Sequence, residues 1–208
     1  IALQLIWQSL RSGAVSNIDE VIKSSSQSLS HLFEVLTHQV MHQQPNDIQE
    51  FLQISATLRI MTPEACNALR QKEDSDTLLA YLRQHELFVA NVGETADHQS
   101  GLRYHPIFHQ FLRDQSNRER STAWHISAAH HFIELRNFDT ALHHLVQAQD
   151  YNQAAQLLSS YGSQLLAMGR LDTLSTYLDN IDPEFLHQYP ALLTYHGDLA
   201  RLHSRFQE

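Results

Sequence analysis

Apolar residues recur along this chain at the three-and-four spacing of helices, and the pattern breaks at a few serine, glycine and proline positions. Ile1–Arg11 reads as one helix, ended by Ser12-Gly13. Residues 12–30 are polar and serine-rich and read as a connector, in which Asn17 can cap a short helix through Lys23. His31–Gln43 returns to helical period with Leu32, Phe33, Leu36, Val40 and Met41 on one side. Pro45 is expected at the first position of the next helix, whose buried stripe is Ile48, Phe51, Leu52, Ser55 and Leu58. Thr62-Pro63 opens a third helix through Arg70, with Ala65, Cys66 and Leu69 inward. Asp74–His85 is a fourth, burying Leu78, Leu79 and Leu82.

The period then changes. Leu87-Phe88-Val89-Ala90-Asn91-Val92 is β-prone, a polar loop follows between Gly93 and Gly101, and Leu102-Arg103-Tyr104-His105 forms a second strand. Two strands after three helices predict a winged helix-turn-helix, with the loop as its wing. Pro106 suits the first turn of the helix that follows, and Ile107, Phe108, Phe111 and Leu112 give that helix one apolar face. A histidine at this strand-to-helix junction can set its ring N–H beside the free amides of the helix start. Such a corner suits an anion.

From Thr122 the chain repeats. Asn137-Phe138-Asp139-Thr140-Ala141-Leu142 is echoed 33 residues later by Arg170-Leu171-Asp172-Thr173-Leu174-Ser175, and Arg205-Phe206-Gln207-Glu208 starts a third copy. This pitch is near that of tetratricopeptide (TPR) repeats. Ala129 and Phe132 then lie on a first helix, and Phe138, Ala141, Leu145 and Ala148 on a second. Small residues at Ala129, Ala141 and Ala148 allow close approach, and another helix starts at Tyr151-Asn152-Gln153-Ala154-Ala155. The expected fold is mainly α: a winged helix-turn-helix with a small β-hairpin, followed by a TPR-like α-α superhelix.

Composition narrows the function. The chain has 208 residues, 42% of them hydrophobic, and a net charge of −9 from 14 Lys and Arg against 23 Asp and Glu. That balance opposes a DNA-binding face, because affinity for DNA rests largely on cations neutralising phosphates. The second helix of the motif, Asp74–His85, also opens on acidic residues, so no direct DNA binding by this segment is expected. The single Cys66 excludes an internal disulfide framework and suits a reducing cytoplasm. No stretch is long enough to span a bilayer and no signal peptide is visible, so no membrane partner is expected. The chain starts mid-pattern at Ile1 and reads as a piece of a larger protein.

Candidate chemistry is sparse. His38/His42 and His105/His109 stand four apart, and His130-His131 and His143-His144 are adjacent pairs. No His-Glu-x-x-His is present, and neighbours on a helix diverge by about 100°, so no metal site is expected and most of these histidines are read as surface residues. Trp7 and Trp124 fall on apolar faces and read as core. Arg118, Glu119 and Arg120 read as a solvated cluster. There is no phosphate-cradling Gly-x-x-x-x-Gly-Lys-Ser/Thr loop and no nucleophile-base pair, so the segment is not expected to be an enzyme.

The run Arg103-Tyr104-His105-Pro106-Ile107-Phe108-His109-Gln110-Phe111-Leu112 resembles the Tyr-His-x-(Leu/Ile)-Phe-x-x-Phe-Leu segment of the signal-transduction ATPases with numerous domains (STAND), in their MalT-like, LuxR-type branch. Phe51-Leu52-Gln53-Ile54-Ser55 resembles that family's "FLLRTS" helix. Leu82-Arg83-Gln84-His85-Glu86-Leu87-Phe88 is similar to its L-x-x-x-N-L-F entry into the wing, and Ile1-Ala2-Leu3-Gln4-Leu5 to the end of its ATPase region. The resemblance implies residues 1–27 as the end of an upstream ATPase-region helix and a connector, 28–120 as a winged-helix domain, and 121–208 as truncated TPR-like repeats. It implies that His105 contacts the β-phosphate of ADP in the intact protein. Pro106 stands where the family often has another residue, which leaves the histidine's role intact.

The implied function is that of the regulatory middle of a cytoplasmic transcription regulator. It would couple the nucleotide state of an upstream ATPase domain of the same chain to an inducer or protein partner on the repeats. The implied partner-facing residues are Ile126, His130 and Ile133. ADP or ATP with Mg is expected in the parent protein and no cofactor in this segment, with self-association of the activated form. The alternative is a TPR-like interaction scaffold with no nucleotide role.

Overall fold

The computed structural model describes residues 37–93 and 101–205. The expected helix Ile1–Arg11 with Trp7, the connector, the opening of the His31–Gln43 helix, most of the wing loop and the third repeat copy from Phe206 on lie outside the described residues. The chain divides into two compact units, one ending at Ser116 and the other starting at Asn117.

In the first unit, helical residues 37–42 precede α1 (Asn46–Ser55), α2 (Pro63–Arg70), α3 (Ser75–Gln84), strands β1 (Val89–Val92) and β2 (Gly101–Tyr104), and α4 (Pro106–Asp114). Pro45 is the N-cap of α1 rather than its first helical residue. Its ψ of 149° is extended, and its carbonyl accepts the first helical bond, from Gln49 N–H at 3.0 Å. Thr62 caps α2 as the sequence suggests, its Oγ1 accepting from Ala65 N–H at 3.2 Å, with Pro63 in the first turn.

Asp74 makes no side-chain cap on α3. Its carboxylate is held by Arg70, and Asn67 Oδ1 on α2 accepts instead from Ser75 N–H at 3.1 Å. The turn between the two motif helices is thus fastened from the preceding helix. Phe51, Leu52, Leu58, Met61, Leu82, Phe108 and Leu112 are its largest fully buried side chains. Burying them supplies the main drive for this small unit to close.

The hairpin is antiparallel, pairing Val89 with Tyr104 and Val92 with Gly101. Met61 adds a third, one-residue strand, exchanging hydrogen bonds with Leu102 at 2.7 and 3.0 Å. This pairing explains Gly101. A Cβ there would stand 2.6 Å from the Met61 carbonyl oxygen and 2.8 Å from a methyl of Ile60.

The second unit contains α5 (Arg118–Glu134), α6 (Phe138–Gln147), α7 (Tyr151–Ala167), α8 (Leu171–Asn180), α9 (Pro183–Gln188) and α10 (Pro190–Arg205). Side-chain oxygens of Asn117, Asn137, Asp150 and Asp182 accept backbone N–H groups at the starts of α5, α6, α7 and α9. Arg136 and Gly169, 33 residues apart, close the first helix of successive repeats in the left-handed conformation, with φ of 56° and 71°. Ala129, Leu142, Leu145, Ala154, Ala155, Leu158, Leu165, Leu174 and Leu178 share one continuous core. The small residues do bring helices together: Ala129 and Ala141 are fully buried, and Ala148 nearly so. Helices α9 and α10 were not foreseen, although Asp182-Pro183 and Tyr189-Pro190 mark their starts.

Candidate functional site

Tyr104, His105 and His109 form the corner where β2 turns into α4, and each is fixed by a distant part of the first unit. Ser55, at the end of α1, donates its only hydroxyl proton to the Phe51 carbonyl at 2.5 Å. The 2.6 Å contact between Ser55 Oγ and the Tyr104 hydroxyl must therefore have Tyr104 as donor. Tyr104 is buried, and burial raises its pKa far above the phenol value. His109, one turn into α4, places Nε2 2.6 Å from the Ala56 carbonyl, so that nitrogen carries the proton. Two of the segments singled out by the sequence, Phe51–Ser55 and Arg103–Leu112, are thus joined by the Ser55–Tyr104 bond, and the residue that follows the first of them, Ala56, takes the bond from His109.

Between these struts stands His105. Its backbone N–H bonds the Phe88 carbonyl at 2.7 Å, and it is the N-cap of α4. Its Nδ1 accepts from Ile107 N–H over a long 3.4 Å. An accepting Nδ1 leaves the ring proton on Nε2. The ring is half-buried, and Pro106 and Ile107 beside it are exposed, Ile107 to 50%. Burial, with the Arg103 guanidinium adding to it, holds the His105 pKa below the ordinary imidazole value. At neutral pH the site therefore offers a neutral N–H donor at a helix start, next to an exposed cation and an apolar side chain.

Phe88 is the positioning residue that sequence reasoning did not single out. It adopts φ of 54°, unusual for a bulky residue, while its ring packs 4.7 Å from Phe108 and its carbonyl receives His105 N–H. Glu86, two residues earlier, is also left-handed at φ of 51°. It stands where the L-x-x-x-N-L-F pattern has Asn, a residue that tolerates that conformation better. This Asn position was the available signal for a left-handed entry into the wing.

The structure brings some histidines together and separates others. His38 and His42 approach to 3.2 Å between Nε2 atoms on an exposed face. His105 and His109 have separate partners, as described above. Most of these histidines read as surface residues from sequence, but His144 is 1% exposed and contacts His125, because the apolar stripe of α6 runs through it. Among the described residues no group of three or more metal-ligating side chains exists. Trp124 is half-buried, and Arg118, Glu119 and Arg120 are exposed. Among the described residues no helix is long and apolar enough to cross a membrane.

On α5, Ile126, His130 and Ile133 recur at the spacing of a single face. Both isoleucines are half-buried, and His130 is exposed with Nε2 3.4 Å from Gln153 Oε1 at the start of α7. The face carrying these three residues is therefore the one that neighbours the first helix of the next repeat.

A family profile described as the MalT winged helix domain matches residues 37–124. The chain is 25% identical over 194 residues to the HTH-type transcriptional regulator MalT of Vibrio parahaemolyticus, covering 91% of this chain and 21% of that protein. The MalT of Cronobacter sakazakii is 27% identical over 210 residues, covering 100% of this chain and 23% of that protein. The chain spans about a fifth of the length of these curated relatives. With the hairpin, its third one-residue strand and the Tyr104-His105 corner in place, residues 37–124 are similar to the MalT winged helix domain, and the chain as a whole resembles about a fifth of these MalT regulators.

Proposed function

We propose that this segment is the regulatory middle of a MalT-like transcriptional regulator, in which His105 senses the nucleotide held by an upstream ATPase domain of the same chain. The observation that carries this reading is the fixed tautomer of His105. Its Nδ1 is occupied by the helix cap, so the remaining Nε2–H can donate to a phosphate oxygen from a half-exposed position. The exposed Ile107 and Arg103 at the same corner suit a docked surface carrying an anion.

In the resting form, the winged helix packs on the ATPase domain and His105 bonds the ADP β-phosphate. Ile126, His130 and Ile133 face an inducer or protein partner. Binding there shifts the population toward an open, self-associating form only if effector and nucleotide prefer different global states. The second motif helix opens on Glu73, Asp74 and Asp76, all exposed, so DNA contact falls to another part of the parent protein.

The reading is tested by purifying the parent protein with the region that precedes Ile1 and releasing bound nucleotide by denaturation. Near-stoichiometric ADP is the expected result. A parent that neither retains ADP nor takes up added ADP with Mg would overturn the reading and leave a repeat scaffold without nucleotide.

A further inference from the structure

His38 and His42 stand one turn apart on the helical stretch 37–42, and both are exposed. Their Nε2 atoms lie 3.2 Å apart while their ring centroids are 4.2 Å apart, so the two rings lean together at their Nε2 tips. Side chains four residues apart share one helix face. Thr37, Val40 and Met41 are buried, which turns the face carrying the two histidines toward solvent.

As hydrogen-bonded rings, one Nε2 carries a proton and the other accepts it. A metal ion can take that proton's place. With metal–nitrogen bonds of about 2.0–2.1 Å, a nitrogen separation of 3.2 Å sets an angle of about 100–106° at the ion, between cis square-planar and tetrahedral. Such an ion holds the ring centroids about 5 Å apart. That is a small opening for two exposed rings whose χ2 torsions are soft.

We propose that His38 and His42 form a chelating site for a borderline divalent transition-metal ion, with copper(II) bound more tightly than zinc(II). Imidazole ligands suit these ions, and copper leads the order of affinity. Two protein ligands are fewer than a catalytic or structural zinc takes. Water fills the remaining positions, and the ion binds reversibly as a clip across the turn. No His-Glu-x-x-His motif is needed for this, only two rings that converge. The proposal stands whether or not His105 reads a nucleotide.

The other histidine pair with this spacing shows why convergence decides. His109 Nε2 is committed to the Ala56 carbonyl at 2.6 Å, and His105 Nδ1 to the Ile107 N–H, so those rings serve separate partners. The turn that carries His42 is also well anchored. Gln44 Nε2 donates to the Val40 carbonyl at 3.0 Å, and its Oε1 accepts from the Tyr81 hydroxyl on α3 at 3.2 Å. Gln49 on α1 donates to the Gln44 carbonyl at 2.8 Å. The two rings are therefore presented from a helix end tied to both neighbouring helices, which lowers the ordering cost of binding an ion.

The experiment titrates zinc chloride into the untagged 208-residue chain near neutral pH and follows the ring 15N signals of the histidines. The first equivalent is expected to shift the Nε2 signals of His38 and His42 together, and added copper(II) is expected to displace the zinc. In His38→Ala and in His42→Ala the dissociation constant should weaken roughly 100-fold, because losing either ring ends the chelate. Both positions are exposed and Ala favours helix, so the variants keep the fold, which their amide spectra check. A first equivalent that shifts other rings, or a His42→Ala protein that binds zinc as tightly as wild type, would overturn the proposal and leave adventitious zinc on scattered histidines.

Discussion

Removing either hydroxyl of the Ser55–Tyr104 pair has unequal consequences, and the inequality can be worked out beforehand. In Ser55→Ala, the Tyr104 O–H, at 3% exposure, loses its acceptor and stays buried. An orphaned buried donor costs about 1–3 kcal/mol, offset by about 0.5 kcal/mol from the better helix propensity of Ala. In Tyr104→Phe, Ser55 keeps its bond to the Phe51 carbonyl, so no donor is orphaned. That variant is expected to lose only about 0.5–1.5 kcal/mol, the net worth of one hydrogen bond. The double variant contains no orphan and should be less destabilised than the sum of the singles by about 1 kcal/mol. Native-state hydrogen exchange at the α1 amides reads these values in the first unit alone. The donor assignment is refuted if Tyr104→Phe costs more than Ser55→Ala, or if the two effects add within about 0.5 kcal/mol.

Further outcomes follow from single positions. Gly101→Ala drives a Cβ into the Met61 carbonyl, so it should destabilise the wing by about 1–3 kcal/mol and strip exchange protection from the Met61 and Leu102 amides. Arg136→Gly relieves a left-handed residue at the position Gly169 holds in the next repeat, and should raise the stability of the second unit by up to about 1 kcal/mol in urea unfolding. Gly169→Ala, with φ of 71°, should lower it by a similar amount. Burial, aided by Arg113 and Arg59 and opposed by the Ala56 bond, keeps the His109 pKa below the usual imidazole value. The folded ring thus refuses a proton that the unfolded chain accepts. Stability of the first unit should be full above about pH 6.5 and fall as pH drops toward the lowered value, and His109→Gln, which can still donate to Ala56, should flatten that slope.

The parts legible in sequence were those set by near neighbours. Thr62-Pro63 and Pro106 start helices because a cap and a proline act within one turn, and the echo of residues 137–142 at 170–175 recovers the repeat because each hairpin is a local unit. What escaped depends on partners far along the chain. Ser55 meets Tyr104 across 49 residues and His109 meets Ala56 across 53, distances over which spacing says nothing about contact. The left-handed Phe88 is set by its ring packing on Phe108 and not by its own preference. The burial of His144 escaped a reading that placed most histidines at the surface, because its buried partner His125 lies on another helix, 19 residues away.

ADP dissociation from the parent protein, measured for wild type and His105→Ala, tests most directly whether this ring faces the nucleotide. A hydrogen bond from Nε2–H to a charged phosphate is worth about 1.5–3 kcal/mol, so release should accelerate roughly 10- to 100-fold in the variant, with the first unit still folded. An unchanged release rate in a folded His105→Ala protein would contradict the claim that this ring faces the nucleotide.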